Sequence, residues 1–507
     1  MKFYLSTSNE LLRIKKANVI VLYLSAWDDW FTYSTLYNVY YFNNNEVKIS
    51  LGSVKIGQKN MRTRSPELPE SFRTLSSSFF SLGQDDSYYE SLNSLGAAFR
   101  EEVLRALNDM ALQNSIYLEA LNENVTKVSL LRSVSKISVE GQFRRLAQGN
   151  ASLTPYNFQY IAPKHLKSAT GPMVLDFNVL PESNPPTNIH VVIGRNGVGK
   201  THLFSNMILT LLNDNKSNSK YGHFIFKDQP EKLFANLVSV SFSAFDEADT
   251  IVEKSIEQRD KTKHLNCSYI GIKRVSKVTG KVLPKSPIIL KNNFVKSVEK
   301  CIADSKSDKW LAALEMLEAD PIFKEAEVSQ LAKLTPEEDF TEIASKTFNN
   351  LSSGHKIVLL TTTQLVEKIE ERSLVLLDEP EGYLHPPLLS AFIRALSDLL
   401  VKRNAVAIIG THSPVVLQEV PQSCVWKLRR NGANAVAERL EIESFGENVG
   451  LLTQEVFGLE VADSGFHRIL KSIVSESDTY EEAIGKLNNQ LGFEARAILR
   501  NLLFKHK

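Results

Sequence analysis

The feature that most restricts how this chain can fold is a glycine loop set between two apolar segments. Ile189–Ile193 is a continuous apolar run of the length of a buried strand. After the loop, Leu203, Phe204, Met207, Ile208, Leu211 and Leu212 recur at helical spacing. Between the two stands Gly194-Arg195-Asn196-Gly197-Val198-Gly199-Lys200-Thr201, a complete G-x-x-x-x-G-K-[ST] string. Glycines there let backbone N–H groups curl round a phosphate chain. Lys200 reaches the β and γ oxygens, Thr201 can ligate Mg²⁺, and the helix N-terminus adds its positive dipole. Strand, loop and helix in this order predict an α/β head with a nucleoside triphosphate site.

Three further elements follow. Ser373-Leu374-Val375-Leu376-Leu377-Asp378-Glu379-Pro380 is a short apolar strand ending in two carboxylates. At a sheet's ligand edge Asp378 can hold Mg²⁺ through water, and Glu379 can orient and deprotonate an attacking water. Alone, it could also be a strand running into a charged loop. Leu351-Ser352-Ser353-Gly354-His355-Lys356 opens an amphipathic helix through Ile357, Leu360 and Leu365. Hydroxyls and a glycine at a helix start suit a phosphate, although an ordinary capped helix has the same look. Lys200 already serves phosphates from its own loop, so a second anion site predicts a second subunit. In Ile408-Ile409-Gly410-Thr411-His412-Ser413-Pro414 a strand ends in a polar turn. His412 there suits contact with a γ-phosphate, or is a structural histidine.

Taken together and in this order, the four elements over roughly residues 155–430 resemble the ATP-binding cassette superfamily. The resemblance implies that Gly194–Thr201 is the Walker A loop and that Ser352, Ser353 and Gly354 belong to the signature motif. It implies further that Asp378 and Glu379 end Walker B and that His412 is the switch histidine. ATP and Mg²⁺ are the implied ligands and ATP hydrolysis the implied activity. A head-to-tail homodimer is implied as well, each signature motif closing on the partner's nucleotide. Asp378-Glu379-Pro380-Glu381-Gly382-Tyr383-Leu384-His385-Pro386 and Thr411-His412-Ser413-Pro414 look like the soluble SMC, RecF and OLD group rather than transporters. The interval from Lys200 to Ser353 is too short for the long arms of a chromosome-maintenance SMC protein. Residues 421–507 hold no D-x-D pair, so an OLD-type Toprim nuclease centre is not evident. Where these families place a glutamine after the second strand, this chain reads Val240-Ser241-Phe242-Ser243-Ala244-Phe245-Asp246, leaving Ser243 or Asp246 to take the Mg²⁺ and water contacts. His355 stands where the signature usually has glutamine.

The style of the motifs is also similar to ATPases of bacterial anti-phage systems, including Septu-type PtuA proteins and retron-linked relatives. Such ATPases work beside a separately encoded effector, often an HNH nuclease. A RecF-like repair ATPase and an ATP-bound scaffold without turnover are the alternatives.

The 507 residues suggest about three domains. The expected division is an N-terminal α+β domain over 1–150, an ABC-type head with mixed sheet and flanking helices over 151–430, and a helical C-terminal cap over 431–507. An insertion is expected at about 250–345. Ala17–Ala26, Tyr37–Phe42 and Val47–Leu51 read as a small antiparallel sheet with a turn at Asn43-Asn44-Asn45. Leu92, Leu95, Phe99, Val103, Leu107 and Met110 read as one long amphipathic helix, and Trp27–Phe31 as core. Leu487, Leu491, Ile498 and Leu502 read as a last helical stretch.

A net charge of +1 excludes a globally basic nucleic-acid binder. Residues 254–300 nevertheless hold twelve Lys/Arg against three Asp/Glu, including Lys273, Arg274, Lys277, Lys281 and Lys285. They are either a nucleic-acid face or a solvated β insertion. Cys267, Cys301 and Cys424 are far apart, which argues against disulfides or structural zinc and fits a reducing cytoplasm. The apolar stretch Val19–Trp27 is half a membrane span, so neither membrane insertion nor export is expected.

Overall fold

The computed structural model describes residues 1–6, 17–25, 32–134, 136–149, 155–164, 171–181, 183–213, 220–227, 234–242, 265–276, 282–303, 306–334, 340–461, 465–477 and 479–506. Trp27–Phe31, Ser243, Asp246, Lys277 and Lys281 lie outside them. Among the described residues no helix is long and apolar enough to cross a membrane.

The N-terminal region forms a six-stranded sheet. Its strands are β1 (Lys2–Ser6), β2 (Val19–Leu24), β3 (Leu36–Phe42), β4 (Lys48–Gln58), β5 (Ser71–Phe72) and β6 (Phe79–Gly83), in the order β5-β1-β2-β3-β4-β6. The β3–β4 turn closes as expected, with Asn43 Oδ1 accepting from the N–H groups of Asn45 and Val47 at 2.9 Å each. The sheet is mixed rather than antiparallel, because β1 runs parallel to β2. The opening KFYLS supplies that strand, pairing Phe3 with Ile20 and burying Phe3 between its neighbours. The expected single helix is two, Asp86–Ser94 and Ala97–Ala106, parted at Gly96 where φ is +103°. An apolar repeat of three and four survives this break because Leu92, Val103, Leu107 and Met110 enter one core with Phe80, Tyr88 and Tyr89.

The next region holds two sheets. β7 (Tyr156–Ile161), β8 (Val174–Val179) and β10 (His223–Phe226) form an antiparallel three-stranded sheet in the order β10-β7-β8. The central sheet has seven strands in the order β12-β11-β15-β16-β9-β17-β18. These are β9 (Ile189–Ile193), β11 (Asn236–Ser241), β12 (Asn266–Gly271), β15 (Ser373–Asp378), β16 (Val406–Thr411), β17 (Val425–Asn431) and β18 (Asn434–Glu438). All neighbours are parallel except the β17–β18 hairpin at one edge. Both faces are covered, so the inner strands read as unbroken apolar runs. Within β15, Val375 and Leu377 face the cluster containing the helices 307–317, 353–368 and 386–402. Leu374 and Leu376 face the Lys200–Leu212 helix and the three-stranded sheet.

Of the expected basic stretch over 254–300, residues 254–264 and 277–281 lie outside the described residues. β12 joins the central sheet, and Lys273–Val275 (β13) pairs with Val282–Pro284 (β14) as a small hairpin. The Pro287–Ala303 helix sinks Phe294, Val298 and Cys301 into the core. Lys273 is 5% exposed, and Lys285 donates to Gly271 O at 2.6 Å. The charge count is thus not one solvated face: helix packing and strand pairing turn part of it inward.

Beyond the hairpin, the Val449–Val461 helix packs on the head through Leu452 and Val456. The helices Gly465–Val474, Tyr480–Lys486 and Phe493–His506 then gather round Leu470, Val474, Ala483, Leu499 and Leu503. The expected last helical stretch is therefore interrupted: Leu487 caps one helix and Leu491 precedes the next.

The N-terminal unit is held to the head by buried charge. Lys309 Nζ lies 3.0 Å from Asp85 Oδ1 and also contacts Asp86. Arg403 reaches Asp85 Oδ2 at 2.9 Å and Asp86 Oδ1 at 3.2 Å. Burial alone raises the Asp85 pKa, but Lys309 and Arg403 outweigh it and hold the carboxyl well below the usual carboxylate range. A second pair, Arg145–Glu371, lies beside it. Asp85→Asn leaves two buried cations facing one carboxylate. It should destabilise the fold by about 3–5 kcal/mol, the usual cost of breaking a buried pair, read as a lowered thermal midpoint. Because the native pKa is depressed, this contribution is present above the unfolded carboxylate pKa and is lost as pH falls through the native one. The gap between wild type and Asp85→Asn should therefore narrow in acid.

Candidate functional site

The glycine loop leaves β9 at the carboxyl edge of the sheet, flanked by β16 and β17. Gly199 has φ +103°, a left-handed conformation that a side chain would strain, immediately before the Lys200–Leu212 helix. Lys200 is 4% exposed and turns back on its own loop, donating to Gly194 O at 2.9 Å and Arg195 O at 3.3 Å. Burial lowers its pKa from the ordinary lysine value, while Glu379 and Asp378 pull the other way. Arg195, Asn196, Gly197 and Val198 line a cavity of about 280 Å³ with Arg430 and Gly432 of the β17–β18 hairpin.

The two carboxylates lie at the same edge. Asp378 ends β15, in register with Ser241 and Gly410. Thr201 and Asp378 line one small cavity of about 10 Å³, together with Ser205 and Ser239. A hydroxyl and a carboxylate beside a phosphate loop are the hard oxygen donors that Mg²⁺ takes, so the residues present fit that ion. Glu379 departs from the strand with φ +48° and donates its N–H to Gly410 O at 2.8 Å. For a residue with a side chain this left-handed backbone costs about 1–3 kcal/mol, and such residues cluster at functional sites. Its Oε1 lies 3.8 Å from both Lys200 Nζ and His412 Nδ1. Contact with His412 first, and the Lys200 charge after it, hold Glu379 below the ordinary glutamate pKa against the opposing effect of burial. Glu379 is thereby kept in its basic, ionised form.

His412 follows β16 and has two carboxylates beside it. Nδ1 is 3.1 Å from Glu381 Oε1 and 3.8 Å from Glu379 Oε1. The contact with Glu379, joined by the charges of Glu381 and Glu379, raises its pKa above the ordinary imidazole value although burial opposes this. Glu381 is a functional side chain to which the sequence reading gives no role. Its Oε1 accepts from Thr411 Oγ1 at 2.6 Å and from the His412 N–H at 2.7 Å, fixing the turn that carries the histidine. The signal was present in Asp378-Glu379-Pro380-Glu381, but the 3₁₀ turn Pro380–Tyr383 is what brings Glu381 back to β16. Arg430 had no signal beyond its charge.

Ser352 caps the Ser353–Lys368 helix, and both Ser352 and Ser353 are exposed at its N-terminus. A Cβ on Gly354 would stand 2.6 Å from Tyr383 O, so glycine is what lets this helix start approach the 380–383 turn. The structure thus gathers Lys200, Thr201, Asp378, Glu379 and His412 at one sheet edge. It sets Ser352, Ser353 and Gly354 on the helix that packs against the turn after Glu379. This is the arrangement of an ABC-type P-loop ATPase domain.

Lys200→Ala removes the cation facing the phosphates and should abolish ATP binding; calorimetry checks it. Glu381→Gln should lower the His412 pKa toward the ordinary imidazole value, measured by NMR titration. The sign follows from the raised native value. The His412–carboxylate contact contributes fully below the unfolded pKa and fades as pH rises through the native one, so the variant should match wild type most closely in base.

A family described as an AAA domain, putative AbiEii toxin, Type IV TA system, matches residues 328–418. That stretch carries Ser352–Gly354, Asp378, Glu379 and His412. Among solved structures, an inward-facing putative metal-chelate type ABC transporter is 16% identical with a TM-score of 0.29, over 60% of this chain and 90% of that one. The cbiO1 protein of Clostridium perfringens, part of the ABC transporter complex cbiONQ, is 16% identical with a TM-score of 0.27, over 62% and 98%. UvrA2 from Deinococcus radiodurans is 15% identical with a TM-score of 0.26, over 57% and 38%. Protein ea59 of Escherichia phage lambda is 38% identical over 511 residues, covering 96% of this chain and 95% of that protein. With that identity along nearly its whole length, the chain belongs to the family of the phage lambda protein ea59.

Proposed function

We propose that this chain is an ATP-hydrolysing switch whose nucleotide-driven dimerisation controls a separately encoded effector. The observation that carries the reading is the convergence of Lys200, an ionised Glu379 and His412, with Glu379 Oε1 3.8 Å from each of the other two. Gly194–Thr201 holds the triphosphate, and Thr201 and Asp378 hold Mg²⁺. Bound there, Mg²⁺ would supply positive charge against that of the triphosphate. Glu379 takes the proton of the attacking water and His412 donates to the γ-phosphate. The exposed Ser352 and Ser353, with the half-buried Gly354, cover the nucleotide of a second copy, so two ATP molecules join two chains head to tail.

The effector is proposed to be a nuclease such as an HNH enzyme, in the contest between phages and their bacterial hosts. The AbiEii description of the matching family and the phage origin of protein ea59 support that setting. Nucleic-acid contact is assigned to the effector; within residues 254–300, Lys273 is buried and Lys285 is bonded to Gly271 O, while Arg274 is exposed.

Glu379→Gln keeps shape but removes the base. It should lower ATP turnover at least about 100-fold, the usual contribution of a general base, while ATP stays bound and the dimer persists on size-exclusion chromatography. Equal turnover in both proteins removes Glu379 from the mechanism, and no turnover in wild type favours an ATP-bound scaffold. Ser353→Arg puts bulk at the closing surface and leaves Gly194–Thr201 untouched. ATP binding should survive and ATP-driven dimerisation should fail by light scattering.

A further inference from the structure

Behind the exposed Ser352 lies a chain of polar groups. Ser352 Oγ is 2.7 Å from His355 Nδ1, and His355 Nε2 is 3.1 Å from Asp320 Oδ1. His355 and Asp320 are each 6% exposed. Asp320 is itself anchored, accepting from the N–H groups of Ile322 and Phe323 at 2.9 and 3.3 Å. Phe323 stands edge-on to the His355 ring at 4.9 Å. A further titratable group here is His385. Its Nδ1 accepts from the Leu388 N–H at 3.2 Å, so its proton sits on Nε2, 3.5 Å from Asp320 Oδ2.

Hydrogen-bond polarity along this chain is fixed from the buried end. A carboxylate only accepts, so His355 presents Nε2–H to Asp320 and, when neutral, a bare Nδ1 to Ser352. The single Ser352 proton then points inward at Nδ1. The serine oxygen also receives the His355 backbone N–H at 3.5 Å. A serine in this state offers lone pairs outward, and a nucleotide phosphate, which only accepts, meets no donor. If His355 gains a proton, Nδ1–H donates to Ser352 Oγ and the hydroxyl proton swings outward. Asp320 supplies the negative charge that makes an imidazolium tolerable in a buried place.

We propose that Asp320 and His355 are positioning residues that set the direction of the Ser352 hydroxyl, so that closure of Ser352 on a phosphate takes up one proton at His355. The inference rests on the composite-site reading above. It makes dimer closure proton-linked: one proton taken up per site strengthens association by up to about tenfold per pH unit at each of two sites as pH falls. Its chemistry is a proton transfer from solvent to Nδ1 and a rotation of one hydroxyl, with no covalent bond between heavy atoms made or broken.

The test is the dimer dissociation constant from pH 8 to pH 6 by analytical ultracentrifugation, with Mg²⁺ and the slowly hydrolysed analogue adenylyl imidodiphosphate. Wild type, His355→Gln, Ser352→Ala and Asp320→Asn are compared, each checked for folding by thermal melting. Glutamine does not titrate and alanine has no hydroxyl to turn, so both should lose the part of the pH slope that wild type shows beyond them. His412 contributes equally to all four. Asp320→Asn keeps the oxygen that caps the 321–325 helix but loses the charge that faces a protonated His355, and its slope should be shallower than that of wild type. Equal slopes in wild type and His355→Gln overturn the proposal, and so does a wild-type slope in Ser352→Ala. No analogue-driven dimer of wild type at any pH overturns the composite-site reading itself, and a dimer with unchanged slopes overturns only the proton linkage.

Discussion

Asp85, Asp86, Lys309 and Arg403 come from three separate stretches of chain and are sealed together, with side chains between 0% and 8% exposed. An isolated charge in such a place costs several kcal/mol, so none of the four can be buried before its partners arrive. Two cations and two carboxylates leave no net charge at the joint. Three bodies meet there: the start of the helix 86–94 in the N-terminal unit through Asp85 and Asp86, the helix 307–317 through Lys309, and the end of the helix 386–402 through Arg403. Asp85 also caps its own helix, taking the Ser87 N–H at 3.0 Å, so the joint and the local fold depend on one side chain.

From this joint a packed path leads to the nucleotide edge. Trp310, next to Lys309, donates its indole N–H to Thr363 Oγ1 at 3.1 Å, on the helix that Ser352 caps. Arg403 and Glu371 stand before β16 and β15, whose far ends carry Thr411 and Asp378. The N-terminal unit therefore grips the amino ends of the strands whose carboxyl ends hold the site. At those carboxyl ends the electrostatics are also shared. Asp378, Glu379 and Glu381 surround Lys200 and His412, so three carboxylates share two basic side chains at this edge.

The parts of this architecture that were legible in the sequence are those fixed by local rules. Ile189–Ile193, Ser373–Asp378 and Val406–Thr411 are buried on both faces and so read as apolar runs, and the glycine loop must follow the first of them. Lys2–Ser6 escaped because its burial is uneven and its partner β2 lies beyond residue 18. The spacing from Leu92 to Met110 was right as a buried face and wrong as one helix, since a period cannot register a single glycine at φ +103°. Lys273 was counted as a surface charge because composition carries no burial. Glu381 and Asp320 act through partners 31 and 35 residues away, a distance no local pattern spans.

The five buried cores among the described residues differ greatly in size. The cap over 465–506 closes on five buried side chains, Leu470, Val474, Ala483, Leu499 and Leu503, while Phe493 and Phe504 on the same helix are 91% and 83% exposed. Opening free energy scales with the apolar contacts that must be given up, and segments at the low end exchange their amide hydrogens and admit proteases before the rest. The cap is accordingly expected to open before the strands that carry the site. Anything that shelters Phe493 and Phe504 would add apolar burial to this small core from outside.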